Sequence, residues 1–133
     1  MDRINEKLAL QIAAAVAACV PVSAGLSGMI LGERFLGEVA NVSSDSHFRY
    51  LSGILFAIGL SIWASLPRIE SHRPRFVLVT FLVAAGGLAR LYGLLTVGVP
   101  NPGMLFGLAM ELVVTPALLI WQSRVARRYA AVG

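Results

Sequence analysis

Two charged residues inside apolar stretches are the strongest chemical signal in the sequence. Arg90 lies within the apolar stretch 76–97, and Glu111 lies within the stretch 104–122. A charge at such a depth in a membrane is costly unless it is paired or hydrated. Each charge lies about seven residues, or roughly 10 Å of α-helix, from the short loop that joins the two stretches. We therefore predict that they meet as a bidentate ion pair inside a helical bundle.

Small residues share the helical faces of these charges: Gly86 and Gly93 beside Arg90, and Gly107 and Thr115 beside Glu111. Two interpretations of the pair follow from this space. The pair is either a latch that holds two helices together, or a polar site that binds a solute or a headgroup. Proton-coupled transport is a third reading, which requires Glu111 to titrate.

A second polar group lies at the start of the apolar stretch 48–66. It consists of Asp45, His47, Arg49 and Tyr50. If Arg49 points inward, a shared pocket holds two guanidinium groups against the carboxylate of Glu111, which favours a carboxylate, phosphate or lipid-headgroup ligand. If Arg49 instead reaches outward to lipid phosphates, that excess of positive charge disappears.

Two of the polar or special residues also have a purely structural interpretation. Asp45 lies within Ser43-Ser44-Asp45-Ser46, and any of these side chains could cap the first amides of the following helix; for Asp45, capping is favoured over a role in a site. Pro116 follows Thr115 and interrupts the backbone bonding of the fourth helix. We predict a mild kink there, with a hinge for alternating access as the alternative.

Catalysis and metal binding have weaker support. Asp45, Ser46 and His47 are adjacent in sequence and do not by themselves provide a nucleophile, a base and an orienting group. His47 could ligate a metal with Glu38, Asp45 or Glu111, but the spacing matches no recognised motif. The single cysteine, Cys19, excludes an intrachain disulfide and a CxxC site. We expect neither an enzyme nor a cofactor.

The elements that position these residues are four apolar stretches, at approximately 8–31, 48–66, 76–97 and 104–122. Each is long enough to cross a bilayer as a helix, whereas the strands of a barrel are shorter and alternate in polarity. Of the 133 residues, 57% are hydrophobic and only 14% are charged, which is unusual for a soluble domain. We therefore predict an all-α integral membrane four-helix bundle that forms one domain over residues 1–133.

Basic residues predict the orientation of this bundle. They concentrate at the N-terminus, in the second loop and in the C-terminal tail: Arg3, Lys7, Arg68, Arg73, Arg75, Arg124, Arg127 and Arg128. Flanks rich in lysine and arginine resist translocation, so both termini and the second loop are expected in the cytoplasm. The net charge is +4, but the basic residues lie beside apolar segments, which argues against nucleic-acid binding. A cleaved signal peptide ending near Ala24 is an alternative for the first stretch.

Small residues at four-residue spacing mark one face of each helix. The sets are Ala24, Gly28 and Gly32; Gly53, Ala57, Ser61 and Ser65; Ala85, Ala89 and Gly93; and Gly103 and Gly107. Close approach of small residues drives helix association in lipid. These faces are interpreted as the seam of the bundle, with a dimerisation surface as the alternative.

Several spaced motifs resemble a known family. They are Asp45-x-His47-Phe48-Arg49-Tyr50-x-x-Gly53, Pro67-Arg68-Ile69-Glu70, Gly86-Gly87-Leu88-Ala89-Arg90 and Glu111-Leu112-Val113-Val114-x-Pro116. In these the chain resembles, over nearly its whole length, a bacterial family of small four-span membrane proteins catalogued as a domain of unknown function. The resemblance implies a four-helix fold in a bacterial inner membrane, and it implies no activity.

The sequence therefore favours a non-enzymatic inner-membrane protein with a polar pocket that binds a small anionic or lipid-like ligand. The expected site residues are Arg90, Glu111, Arg49, His47, Asp45 and Tyr50. Membrane lipids are the expected surroundings, and a membrane-protein partner or a second copy is a further possibility. The alternatives are an accessory subunit of a larger membrane complex and a small proton-coupled transporter.

Overall fold

The computed structural model describes residues 2–37 and 41–131, and this part of the chain is almost entirely helical. The helices are α1 (Arg3–Leu31), α2 (Val42–Ser65), α3 (Arg73–Thr96), α4 (Pro102–Ala109) and α5 (Thr115–Ala130). Short 3₁₀ segments follow α1 (Gly32–Leu36) and α2 (Leu66–Ser71), and a π-helical turn (Met110–Val114) joins α4 to α5. Within the described ranges no strand occurs, so the predicted all-α fold is confirmed.

Four helical segments are long and apolar enough to cross a bilayer: Arg3–Leu36, Val42–Ser71, Arg73–Thr96 and Pro102–Ala130. They match the four predicted spans. The last of them contains α4, the π-helical turn and α5, and we call it the fourth span. The chain is therefore a multi-pass membrane protein whose backbone polar groups are satisfied within its own helices.

Helix α2 begins at Val42 rather than at the predicted Phe48, because its start is capped by Asn41. The Asn41 Oδ1 accepts from the Ser44 backbone N–H at 2.9 Å, and the Ser44 Oγ accepts from the Asn41 N–H at 3.3 Å. This reciprocal capping box satisfies two amides that the helix itself cannot. Ser44, one of the predicted candidates, thus takes part in the cap, whereas the capping role favoured for Asp45 is wrong, and Asp45 is free to bond elsewhere.

The chain divides into two compact units, which we call the hairpin unit (Ala14–Leu66) and the terminal unit (Met1–Ala13 with Pro67–Gly133). In the hairpin unit, α1 and α2 approach each other at glycines. A Cβ atom on Gly25 would lie 2.6 Å from the Phe56 backbone N, and one on Gly59 would lie 2.5 Å from a Val22 methyl carbon. These two glycines, which the predicted stripes omit, therefore allow close contact of the two helices, as does Gly28 of the predicted α1 stripe, where a Cβ atom would collide with the Ser52 side chain.

In the terminal unit, α3 packs against the fourth span at Gly87. A Cβ atom on Gly87 would lie 2.8 Å from a Leu112 methyl carbon and 2.9 Å from the Glu111 Cβ. The predicted α3 stripe is wrong in register, since Ala85 and Ala89 are exposed and Gly87 is buried. This error arises because small residues at neighbouring positions lie on different faces of the helix, and the sequence does not show which face packs.

The fourth span is interrupted immediately before Pro116, where the sequence predicts a kink. The interruption is a π-helical turn in which the Thr115 N–H donates to the Met110 carbonyl, and the Thr115 Oγ1 donates to the same oxygen at 2.8 Å. Proline has no N–H for the carbonyl four residues earlier, so a local change of hydrogen-bond pattern is expected at this point. The turn contains Glu111.

Candidate functional site

Arg90 and Glu111 form the predicted bidentate ion pair. Arg90 projects from α3, and Glu111 projects from the π-helical turn of the fourth span. The Arg90 Nε donates to Glu111 Oε2 at 3.0 Å, and the Arg90 Nη2 donates to Glu111 Oε1 at 3.1 Å. Two parallel charge-assisted bonds fix the relative position of the two side chains. The sequence prediction of this pair is confirmed.

The surroundings of the pair are apolar but not closed. The side chain of Glu111 is 16% exposed and that of Arg90 is 33% exposed. The Arg90 Nη1 lies 2.7 Å from the Met104 sulfur, a weak hydrogen-bond acceptor. A Cβ atom on Gly107 would still lie 4.0 Å from the Arg90 Cζ, so the predicted space beside the guanidinium is present at this glycine. The pair carries no net charge and joins α3 to the fourth span.

A second ion pair, between Asp45 and Arg49, lies in the hairpin unit. The Arg49 Nε donates to Asp45 Oδ2 at 2.7 Å, and the Glu33 N–H donates to Asp45 Oδ1 at 2.9 Å. The Arg49 Nη1 donates to the carbonyls of Met29 and Ile30 at 2.7 and 2.9 Å. We call these contacts the loop clamp, because they tie the start of α2 to the end of α1.

The loop clamp has a clear physical cause at the end of α1. The last carbonyls of a helix have no partner within the helix, and the helix dipole places partial negative charge there. Arg49 supplies both hydrogen bonds and a positive charge to Met29 and Ile30. Arg49 is therefore turned towards the protein rather than only towards lipid phosphates, although its side chain is 42% exposed.

Gly32 makes room for the loop clamp. It is buried, with a φ angle of +61°, and any Cβ atom there would collide with the side chains of Asp45 and Arg49. Positive φ already disfavours residues with a side chain. Both the backbone conformation and the close approach therefore favour glycine at this position.

A cleft of about 380 Å³ opens beside the loop clamp, which we call the loop cleft. It is lined by Arg34, Asn41, Val42, Asp45 and Arg49. Two guanidinium groups thus border the cleft against one carboxylate, which itself already accepts two hydrogen bonds. Sequence reasoning placed Asp45 and Arg49 in a pocket, but it did not identify Arg34 and Asn41 as lining residues. Arg34 lies in the short 3₁₀ segment and Asn41 is the cap of α2, so neither belongs to a periodic apolar pattern in the sequence.

His47 and Tyr50 lie on a different face of α2. Their rings stack, with centroids 6.4 Å apart, and both side chains are exposed. Residues two apart on a helix point in nearly opposite directions, so His47 cannot face the same side as Asp45 and Arg49. Neither His47 nor Tyr50 lines the loop cleft.

The described part of the chain contains no assembled set of metal ligands. Across residues 2–37 and 41–131, no three side chains of His, Cys, Asp or Glu converge as metal ligands would. Glu38, considered as a ligand of His47 from the sequence, lies outside the described residues.

The terminal unit contains two further ion pairs that sequence reasoning missed. The Arg128 Nη1 donates to Glu6 Oε2 at 2.5 Å, and the Lys7 Nζ lies 2.9 Å from Glu70 Oε2. The Lys7 Nζ also lies 5.5 Å from the centroid of the Tyr129 ring, within cation–π range. The sequence predicts only an orienting role for these basic residues, because ion-pair partners more than 60 positions away leave no local pattern.

Comparison with known proteins identifies a family without an assigned activity. The model of a family described as a domain of unknown function (DUF4345) matches residues 9–122. The match includes the Asp45–Arg49 and Arg90–Glu111 ion pairs. Neither the curated proteins nor the solved structures contain a match to the chain.

Proposed function

Because the chain belongs to the DUF4345 family, whose description assigns no activity, we propose a function from the chain's own geometry. The protein is a non-enzymatic membrane protein that binds a small anionic ligand in the loop cleft. It resides in a bacterial inner membrane with both termini in the cytoplasm, so that the loop cleft faces the opposite side.

The observation that carries this proposal is the lining of the loop cleft. Arg34 and Arg49 contribute two guanidinium groups, whereas Asp45 contributes one carboxylate. Asp45 is already compensated by Arg49 and by the Glu33 N–H. The side chain that is left for a ligand is Arg34, which is exposed and borders the cleft.

The chemistry of the cleft favours an oxyanion. A guanidinium group binds a carboxylate or phosphate through two parallel hydrogen bonds, and the Asn41 side chain adds polar character to the rim. Arg49 keeps its clamp contacts and contributes its positive charge. A cleft of about 380 Å³ suits a small solute rather than an extended molecule.

A binding role fits this lining better than catalysis. Its side chains are those of arginine, asparagine, valine and aspartate, so the described lining contains no serine, cysteine or histidine nucleophile or base. The orientation is supported by the concentration of arginine and lysine near the termini and in the second loop.

Ligand-induced stabilisation tests the proposal. The full chain in neutral detergent is titrated with inorganic phosphate and with acetate, and its thermal unfolding is recorded. A ligand that binds only the folded state raises the unfolding temperature with concentration. Arg34→Gln is expected to weaken the apparent affinity about tenfold, because it removes a bidentate partner.

Arg68→Gln is the matched control, since Arg68 is also an exposed arginine but does not line the loop cleft. It removes the same charge and is expected to leave the titration unchanged. The proposal fails if neither anion stabilises the protein, or if the two variants respond alike.

An accessory role in a larger membrane complex is the second candidate, and the exposure of Arg90 favours it. One third of this intramembrane side chain is uncovered, and Ala85, Gly86 and Ala89 are exposed on the same helix. A neighbouring helix could approach closely over these small residues and cover the guanidinium. A photoreactive residue at Ala89 would test for such a partner by crosslinking in native membranes. The absence of any crosslinked protein would contradict the accessory role.

A further inference from the structure

Positive charge is concentrated at one end of the terminal unit. The segment 2–13, the turn Leu66–Ser71, the start of α3 and the end of α5 together carry eight cationic side chains: Arg3, Lys7, Arg68, Arg73, Arg75, Arg124, Arg127 and Arg128. Only three acidic residues, Asp2, Glu6 and Glu70, belong to the same segments. The described carboxylates of Glu6 and Glu70 are engaged by Arg128 and Lys7. This end therefore holds an excess of exposed arginine.

Two of these arginines converge on one residue. The Arg73 Nε, from the start of α3, donates to the Ser123 Oγ at 3.4 Å. The Arg127 Nε, from the last turn of α5, donates to the Ser123 carbonyl at 3.2 Å. Both bonds use Nε, so neither occupies the Nη groups with which a guanidinium holds an oxyanion. Two guanidinium groups from different helices therefore contact the same residue.

Exposed apolar side chains continue from this pair of arginines along both helices. On α3, Val77 lies four residues after Arg73 and is 43% exposed. On α5, Ile120 lies three residues before Ser123 and is 63% exposed. Residues three or four apart share a helical face, so each guanidinium lies at the end of a short apolar strip. The strip contains Val77 on α3 and Ile120 on α5. Both strips belong to segments that are apolar enough to cross a bilayer.

A charged head above an apolar strip matches the shape of a phospholipid. We propose that Arg73 and Arg127, which both hydrogen-bond to Ser123, bind the phosphate of an anionic phospholipid whose acyl chain lies along Val77 and Ile120. A soluble anion would use the guanidinium groups but not the apolar strips. Basic side chains at membrane-facing helix ends attract anionic lipids, and the two guanidinium groups add a bidentate contact to that general attraction.

Lipid competition in native mass spectrometry tests this site. The full chain is released from mixed micelles that contain equal amounts of phosphatidylglycerol and phosphatidylcholine, and the bound lipids are counted. Wild-type protein is expected to retain phosphatidylglycerol preferentially. The double variant Arg73→Gln/Arg127→Gln is expected to reduce this preference at least about fivefold, because it removes both guanidinium groups that bind the phosphate.

A control variant that loses the same number of charges distinguishes a specific lipid site from general electrostatic attraction. Arg68→Gln/Arg124→Gln also removes two exposed arginines of the same end but leaves the pair at Ser123 intact. Its lipid preference is expected to change less than twofold. Equal losses in the two double variants would overturn the proposal, as would the absence of any preference in the wild type.

A charge-conserving variant covers the case in which the double glutamine variant does not fold. Arg73→Lys/Arg127→Lys keeps both positive charges but removes the planar fork that binds a phosphate bidentately. The preference for phosphatidylglycerol is expected to fall several-fold in this variant too. An unchanged preference would show that charge alone attracts the lipid, and it would overturn the proposed site.

Discussion

Glu111 accepts two hydrogen bonds from Arg90 at the one place where the fourth span is π-helical. The same turn faces Gly87, whose lack of a side chain brings α3 within contact of the Glu111 Cβ. A bidentate pair needs both carboxylate oxygens at a fixed distance from the guanidinium, so the close approach at Gly87 positions the pair. The pair and the glycine contact form one arrangement that fastens α3 to the fourth span.

A double-mutant cycle on Arg90 and Glu111 should show strong coupling. Arg90→Gln and Glu111→Gln are each expected to lower the free energy of unfolding by about 1–3 kcal/mol, since each leaves a part-buried charge without its partner. The double variant should lose less than the sum of the single losses. Denaturant unfolding in detergent, followed by circular dichroism, measures these values. Additive losses would mean that the two side chains do not stabilise each other.

Substitution of Gly87 by leucine should destabilise the terminal unit, whereas the same change at Gly86 should not. A Cβ atom on Gly87 would meet Leu112 and Glu111, but one on Gly86 would meet no atom of the described chain within 4 Å. Overpacking typically costs about 1–3 kcal/mol. We expect a cost in this range for Gly87→Leu and a change below about 0.5 kcal/mol for Gly86→Leu. Equal effects in a thermal unfolding assay would contradict the packing at Gly87.

Helix number, helix type and the Arg90–Glu111 pair could be predicted from the sequence because each has a local signal. Apolar length indicates a span, and a short loop forces the flanking helices to be antiparallel neighbours. Two charges at equal depth on such neighbours then have few partners other than each other. The structure confirms this pair with its predicted bidentate geometry.

The remaining features depend on contacts that have no local pattern. Asn41, rather than Asp45, caps α2 because the helix begins at Val42, before the apolar pattern of the sequence starts. Gly87 rather than Ala89 lies at the α3 contact, since periodicity does not distinguish between adjacent small faces. The Glu6–Arg128 pair joins opposite ends of the sequence, and composition cannot reveal such a contact.

Neutralisation of Glu6 should loosen the link between the first turns of α1 and the last turns of α5. The Glu6 carboxylate is 7% exposed and accepts a short hydrogen bond from Arg128, so Glu6→Gln removes a charge-assisted bond. A loss of about 1–2 kcal/mol in unfolding free energy is expected. Asp2→Asn is the control, because Asp2 is exposed and the substitution removes the same charge. Hydrogen exchange of the α5 amides should increase only in the Glu6 variant, and unchanged exchange would argue against a stabilising pair.

A comparison of two glycines with positive φ isolates the steric part of the loop clamp. Gly32 and Gly37 have φ angles of +61° and +80°, so an alanine at either position is disfavoured by roughly 1–2 kcal/mol from its backbone conformation. A Cβ atom on Gly37 meets no atom of the described chain within 4 Å, whereas one on Gly32 collides with Asp45 and Arg49.

We therefore expect Gly37→Ala to lower the free energy of unfolding by about 1 kcal/mol and Gly32→Ala to lower it by about 1–3 kcal/mol more. The excess reflects displacement of the Asp45 carboxylate, the group nearest to the added Cβ atom, from the Glu33 N–H, and of Arg49 from the carbonyls of Met29 and Ile30. Adding Arg49→Gln to each variant separates the two contributions, because removal of the guanidinium should relieve part of the extra penalty at Gly32 and leave the effect at Gly37 unchanged. If the whole penalty at Gly32 persists without Arg49, the collision with Asp45 alone accounts for it, and the position of the guanidinium does not depend on this glycine.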